Sequence, residues 1–199
     1  MACHGPEKEG SRMMPARALP LCLLLALGAS VAKAAAPAGE QLRLPALPDY
    51  VQAHDATDAQ GNRIVEYVPA GQTVERWTDM VTVNSAPGSA AATPREFLGI
   101  IQAGWYIACP DTQAHWVGEG EEDGRPFAVL MLGCPRNPGT GKPEFTWIKG
   151  IQGLQGFHTV QKSFRAEPTE ADVVTWVGWL RGVALCGNGL APACAAPAP

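Results

Sequence analysis

The stretch Cys109-Pro110-Asp111-Thr112-Gln113-Ala114-His115-Trp116-Val117-Gly118-Glu119-Gly120-Glu121-Glu122-Asp123-Gly124-Arg125-Pro126-Phe127-Ala128-Val129-Leu130-Met131-Leu132-Gly133-Cys134 has a cysteine at each end and an acidic, glycine-bearing middle. Its arms, His115 to Gly118 and Phe127 to Leu132, read as strands, and the middle reads as the loop that returns one onto the other. Placing Cys109 opposite Cys134 makes paired residue numbers add to 243, which centres the loop on Gly120-Glu121-Glu122-Asp123. That is the most turn-like part of the stretch. Loop and cysteines therefore support one antiparallel hairpin, closed by a Cys109–Cys134 bridge.

The same pattern repeats outward. Phe145 to Ile151 and Phe157 to Phe164 form a second hairpin around Gly153-Leu154-Gln155-Gly156, with Phe145, Trp147, Ile151, Val160 and Phe164 on its apolar face. Upstream, Tyr50 to Ala56 and Arg63 to Val68 flank the turn residues Asp58 to Asn62, and Trp77 to Val83 is a third strand. Thr93-Pro94-Arg95-Glu96 has the capping box and early proline of a helix start, with Phe97, Ile100 and Ile101 as the expected buried stripe and an end near Gly104. Pro168-Thr169-Glu170 opens a second helix, which carries Val173, Trp176, Val177, Leu180 and Ala184 on one face and stops at Gly187. The expected order is βββ-α-ββββ-α: an α+β domain at residues 49–187, built as an antiparallel sheet with two amphipathic helices packed on one face.

The ends carry the address. Arg17, the apolar run Leu19 to Val31 and the small-residue site Ala32-Lys33-Ala34 make residues 1–34 a secretory signal peptide. The run is about 13 residues, whereas a membrane-spanning helix needs roughly 20, so an anchor does not fit. Residues 1–12 carry Glu7 and Glu9 and do not resemble a signal's basic start, which points to Met13 or Met14 as the true first residue. Cys22 follows Leu21 rather than a small residue, so it is not a lipoprotein cysteine. Cleavage near Ala34 leaves an Ala/Pro-rich leader at residues 35–48 and a similar tail at 188–199. Lys and Arg fall from 15 to 11 and Asp and Glu from 19 to 17, so the net charge becomes −6. An acidic chain without a basic cluster does not suit nucleic acid or anionic membrane surfaces. The expected location is the periplasm or the exterior.

Four cysteines remain after cleavage, Cys109, Cys134, Cys186 and Cys194, and an even number in an exported chain is a disulfide framework. Four allow three pairings. The hairpin register selects Cys109–Cys134, which leaves Cys186–Cys194 to hold back the tail.

The stretch Glu66-Tyr67-Val68-Pro69-Ala70-Gly71-Gln72-Thr73-Val74-Glu75-Arg76-Trp77-Thr78-Asp79-Met80-Val81-Thr82 resembles an element of uncharacterised secreted proteins of proteobacteria. Thr93-Pro94-Arg95-Glu96-Phe97 and the pairs Cys109-Pro110 and Cys134-Pro135 are similar to that family as well. The resemblance spans most of the mature chain. It implies an envelope location and an α+β fold, and it brings no activity and no catalytic residue.

Motifs for chemistry fail on inspection. Gly139-Thr140-Gly141-Lys142-Pro143 lacks both the first glycine and the final hydroxyl of a phosphate loop, since Arg136 and Pro143 stand there. His54, His115 and His158 have no helical metal spacing, and the acidic run near His115 does not match a calcium loop. There is no C-x-x-C pair and no G-x-S-x-G elbow. His115 beside Glu119, Glu121, Glu122 and Asp123 is the one constellation with acid–base potential, and an exposed charged hairpin tip is its simpler reading. His158 falls on the apolar face of its strand, as a hydrogen-bonded core or rim residue. Six tryptophans remain; Trp147 and Trp176 sit on expected core faces, which leaves Trp116 and Trp179 as candidate exposed anchors.

The sequence therefore favours a non-catalytic envelope protein that binds a protein or envelope component, with no cofactor and no metal. The alternatives are an enzyme assembled around His115 and a carrier of a small hydrophobic ligand between sheet and helices.

Overall fold

The computed structural model describes residues 39–187. The expected signal peptide, the tail and Cys194 lie outside them, and with Cys194 the pairing Cys186–Cys194. In chain order the elements are β1 (Gln41–Arg43), β2 (Tyr50–Thr57), β3 (Arg63–Pro69), β4 (Asp79–Pro87), α1 (Pro94–Ala108), β5 (Gln113–Glu122), β6 (Arg125–Cys134), β7 (Glu144–Gln152), β8 (Gly156–Phe164), α2 (Glu170–Arg181) and β9 (Ala184–Cys186). Seven strands form one antiparallel sheet in the order β2-β3-β4-β8-β7-β6-β5, and β1 pairs separately with β9. The expected α+β class and strand-and-helix layout hold. Among the described residues no helix is long and apolar enough to cross a membrane.

Side-chain alternation divides the sheet into two faces. On one, Leu98 of α1 packs with Ala128, Leu130, Leu132 and Ile148. On the other, Leu180 of α2 packs with Val81, Trp147, Ile151 and Val160. Ile148 and its neighbour Trp147 cannot share a face, so the helices lie on opposite sides of the sheet. This corrects the expectation of one covered face. An antiparallel sheet with apolar residues at successive positions of a central strand, Trp147-Ile148 in β7, needs cover on both sides. The leader supplies part of it, because Leu42, Leu44 and Leu47 pack against the α2-side core.

Helix α1 begins at the expected capping box: the Thr93 hydroxyl accepts from the Glu96 amide, and the Glu96 carboxylate accepts from the Thr93 amide. The helix runs past Gly104 to Ala108, and its buried residues are Pro94 and Leu98, whereas Ile100 is 71% exposed. Of the expected stripe, Phe97 and Ile101 do pack inward, against Phe157 and the Leu98 cluster, and Ile100 does not. Helix α2 starts with the matching Thr169–Asp172 box and ends at Gly182, so Ala184 falls in β9 and not on the helix.

The first hairpin is longer than expected and differently registered. Gln113 pairs with Gly133 and, past a bulge between Trp116 and Gly118, Glu122 pairs with Arg125. The turn is Asp123-Gly124, both at positive φ, as a two-residue hairpin turn demands. Cys109 is the C-cap of α1 and belongs to no strand. The Cys109–Cys134 bridge is present, but it ties the end of α1 to the end of β6 and does not close the hairpin. Both free sheet edges, β2 and β5, carry a bulge, a device that discourages pairing with another chain.

Candidate functional site

The three residues expected to carry function do not converge. His115 stands exposed on β5 and lines none of the described cavities. Trp116 packs against the α1-side core under the Arg95 guanidinium, 4.3 Å from its ring centre, and Arg95 in turn meets Glu119 at 2.9 Å. Trp179 lies edge-on to Trp176 and donates its indole N–H to the Ala46 carbonyl at 3.0 Å. Both tryptophans are half-buried structural residues. Their burial partners come from other elements, which local spacing does not show.

Two lysines that sequence reading passed over are buried in the sheet. Lys149, 1% exposed, directs its ammonium to Glu122 and to the carbonyls of Leu180 at 3.3 Å and Val183 at 2.9 Å. An ammonium has three protons: two satisfy carbonyls at and just past the end of α2, and the third meets the Glu122 carboxylate of β5. Lys162 sits among Tyr50, Phe164 and Trp176, 3.8 Å from the Trp176 ring centre, and pairs with Asp79. Tyr50 donates to the same carboxylate. Burial lowers the Lys162 pKa to about 8 against the pull of Asp79. Burial also raises the Asp79 pKa, but bonds from Lys162 and Tyr50 outweigh it and leave the net shift downward. The cluster joins β2, β4 and β8 beneath α2 and opens into none of the described cavities.

A third row, Ser85, His158 and Glu40, has the residue types of a hydrolase triad. His158 Nδ1 is 3.0 Å from the Ser85 hydroxyl and Nε2 is 3.5 Å from the Glu40 carboxylate. The amides of Leu154, Gln155 and Gly156 would be the oxyanion donors, but all three bond the Glu40 carboxylate. The row as folded is a closed hydrogen-bonded chain. His158 thus occupies the buried, bonded position expected of it. Among the described residues no group of three or more His, Cys, Asp and Glu is placed to hold a metal.

A groove of about 580 Å³ lies between α1 and the β2–β3–β4 end of the sheet. It exists because α1 covers only the β6–β7 half of its face. Phe97 stacks on Phe157 with centroids 4.0 Å apart, and this pair forms the back wall. Gly150 makes the stack possible, since a Cβ there would lie 3.0 Å from the Phe157 ring and 3.3 Å from Leu98. Ala56, Ile64, Ala86 and Ile101 complete the apolar lining. The polar floor is Asn84, whose amide donates to the Thr159 hydroxyl at 3.2 Å. Among the described residues nothing takes the Asn84 carbonyl oxygen. At the rim Arg63 is paired with Asp55 by two bonds, at 2.9 and 2.6 Å, and Asp58 is hydrogen-bonded to the amides of Gln60 and Asn62 and keeps its negative charge. The groove is therefore largely apolar, with its one cation already paired and the Asn84 carbonyl oxygen left over among the described residues. Neither Phe97 nor Asn84 stood out as a site residue in the sequence. The stack needs residues 60 positions apart.

The chain matches no protein-family model and no curated protein.

Proposed function

We propose that the protein is an exported, non-catalytic binding protein that takes a small, uncharged, largely apolar ligand in the groove between α1 and β2–β4. The groove carries this reading: about 580 Å³ falls in the range of roughly 300–1,000 Å³ typical of ligand sites lined by apolar and aromatic side chains with few polar groups. Arg63 at the rim is already paired with Asp55, which does not favour an anionic ligand, and Asn84 offers a carbonyl oxygen and its second N–H to an amide or hydroxyl. The cell-envelope location rests on the N-terminal signal pattern, and the Cys109–Cys134 bridge suits an oxidising compartment. The test is native mass spectrometry of the mature protein purified from its own envelope. A bound small molecule that is lost in Ile101→Glu supports the reading. Protein of bare polypeptide mass, together with failure of neutral apolar probes to bind, sinks it.

A second reading has its own observation. Ile100, Tyr106 and Ile107 are exposed on the outer side of α1, Ile107 by 85%. A partner protein resting on α1 would cover them. Substituting Ile107 by Glu abolishes association in that case and leaves ligand binding untouched.

A further inference from the structure

The face of the sheet opposite the groove holds a second recess, of about 150 Å³, lined by Gly39, Glu40, Ser85, Gly156 and His158. It is built around one carboxylate. The Glu40 side chain is 2% exposed, although it belongs to the N-terminal arm that precedes β1. One of its oxygens accepts from the Leu154 amide; the other accepts from the amides of Gln155 at 3.0 Å and Gly156 at 3.2 Å. His158, 4% exposed in the strand beyond, aims Nε2 at that second oxygen and is steadied at Nδ1 by Ser85.

Two features separate this from an ordinary surface contact. Successive amides of a turn form an anion-binding concavity without any cation, and among the described residues no Lys or Arg pairs with Glu40. Second, Gly153 is the cradle: a Cβ at that position would collide with the Glu40 carboxylate. Its φ is not in the left-handed region, so the glycine is there for close approach and not for a special backbone angle. The cradle suits a flat, two-oxygen group, since both oxygens are bonded and no space remains above Gly153.

We propose that this recess is a carboxylate-binding site, and that the N-terminal arm is a strap whose Glu40 occupies it until a ligand carboxylate takes its place. Beyond Glu40 the strap is anchored by the three-residue pairing of β1 with β9, by Leu42, Leu44 and Leu47 in the α2-side core and by the Trp179 bond to Ala46, so the exchange needs only the segment at Glu40 to move. The downward shift of the Glu40 pKa fits the same picture: burial raises it, and the bonds from Gln155, Leu154 and His158 outweigh that.

The experiment uses the mature chain with Glu40→Ala, titrated with sodium acetate against sodium chloride at matched ionic strength, with backbone amide NMR as readout. Saturable acetate shifts at Leu154, Gln155 and Gly156 are expected. Chloride should give none, and acetate should bind at least about tenfold more weakly to the wild type and to Glu40→Ala/Gly153→Ala. Absence of saturation in a folded Glu40→Ala protein, equal response to chloride, or indifference to Gly153→Ala overturns the proposal. Should Glu40→Ala fail to fold, Glu40→Gln is read by hydrogen exchange. Exchange of the Gln155 and Gly156 amides about tenfold faster than in the wild type supports a site built for the charged group, and unchanged protection overturns it.

Discussion

Substituting Gly150 by Ala tests the packing that creates both the α1-side core and the groove. The added Cβ would lie 3.0 and 3.1 Å from two Phe157 ring atoms and 3.3 Å from Leu98. Neither neighbour can give easily. Phe157 is pressed from its other side by Phe97, and Leu98 and Phe157 are both buried. Forcing a methyl group into a filled core costs about 1–3 kcal/mol. Against that, Gly→Ala removes freedom from the unfolded chain and stabilises by about 0.4–1 kcal/mol. The net expectation is a loss of about 1–2 kcal/mol. Gly99 and Gly104 in α1 are the controls, because a Cβ at either meets nothing within 4 Å. Alanine there should stabilise by roughly 0.5–1 kcal/mol, through helix propensity alone. The assay is urea unfolding of the three single variants, read by tryptophan fluorescence with a common m value. Gly150→Ala as stable as the wild type, or all three variants shifting in the same direction, would refute the placement of α1 against β7 and β8.

Other outcomes follow from the buried polar groups and the bridge. Lys149→Met leaves the Leu180 and Val183 carbonyls without their ammonium; urea unfolding should show a loss of about 2–3 kcal/mol, and a loss below about 0.5 would mean that water replaces the lysine. Acid should lower the stability of the fold in two steps. Burial lowers the His158 pKa below its ordinary 6.5, with Glu40 only partly offsetting it, so the unfolded chain takes up that proton first and stability falls as pH drops below 6.5. The Glu40 pKa lies below 4.5, so its contribution, present above 4.5, is lost as pH falls further through the folded value. Stability measured from pH 7 to 3 should decline in that order; His158→Gln should remove the upper part of the slope and Glu40→Gln the lower, and parallel curves for all three proteins contradict the assignment. Replacing Cys109 and Cys134 by Ala should cost about 3 kcal/mol for a bridge that spans 25 residues, seen as a lower urea midpoint under non-reducing conditions.

What the sequence reveals follows the range of the interactions. Capping boxes at Thr93 and Thr169 are local, and both helix starts are where those residues place them. The second hairpin is also local: its turn and its apolar face, from Phe145 to Phe164, match the alternation in the sequence. The first hairpin shows how a sound cue can be used in the wrong place. Cys109 and Cys134 do bond, but Cys109 caps a helix, so it cannot set the register of a strand pair. Asp123-Gly124, a strong two-residue turn signal, lay beside the chosen loop centre and sets the register in the folded chain. The faces of α1 were ambiguous because isoleucines occur on adjacent sides, and only the sheet beneath chooses Leu98. The candidate sites were hardest to read. Glu40 meets a histidine 118 positions away, and the groove arises from the half of the sheet that α1 leaves bare. Neither has a local signature.

The central claim is that this bare half of the sheet binds a neutral apolar ligand. The most direct measurement is a fluorescence titration of the mature protein with N-phenyl-1-naphthylamine, an uncharged apolar probe. Two α1 variants serve as comparisons. Ile101→Glu places a charge in the groove lining, and Ala103→Glu places one on the exposed side of the same helix. Saturable one-to-one binding that weakens at least about tenfold in Ile101→Glu and is unchanged in Ala103→Glu is the expected result. Binding that does not saturate, or that both variants weaken equally, would contradict a ligand site in the groove.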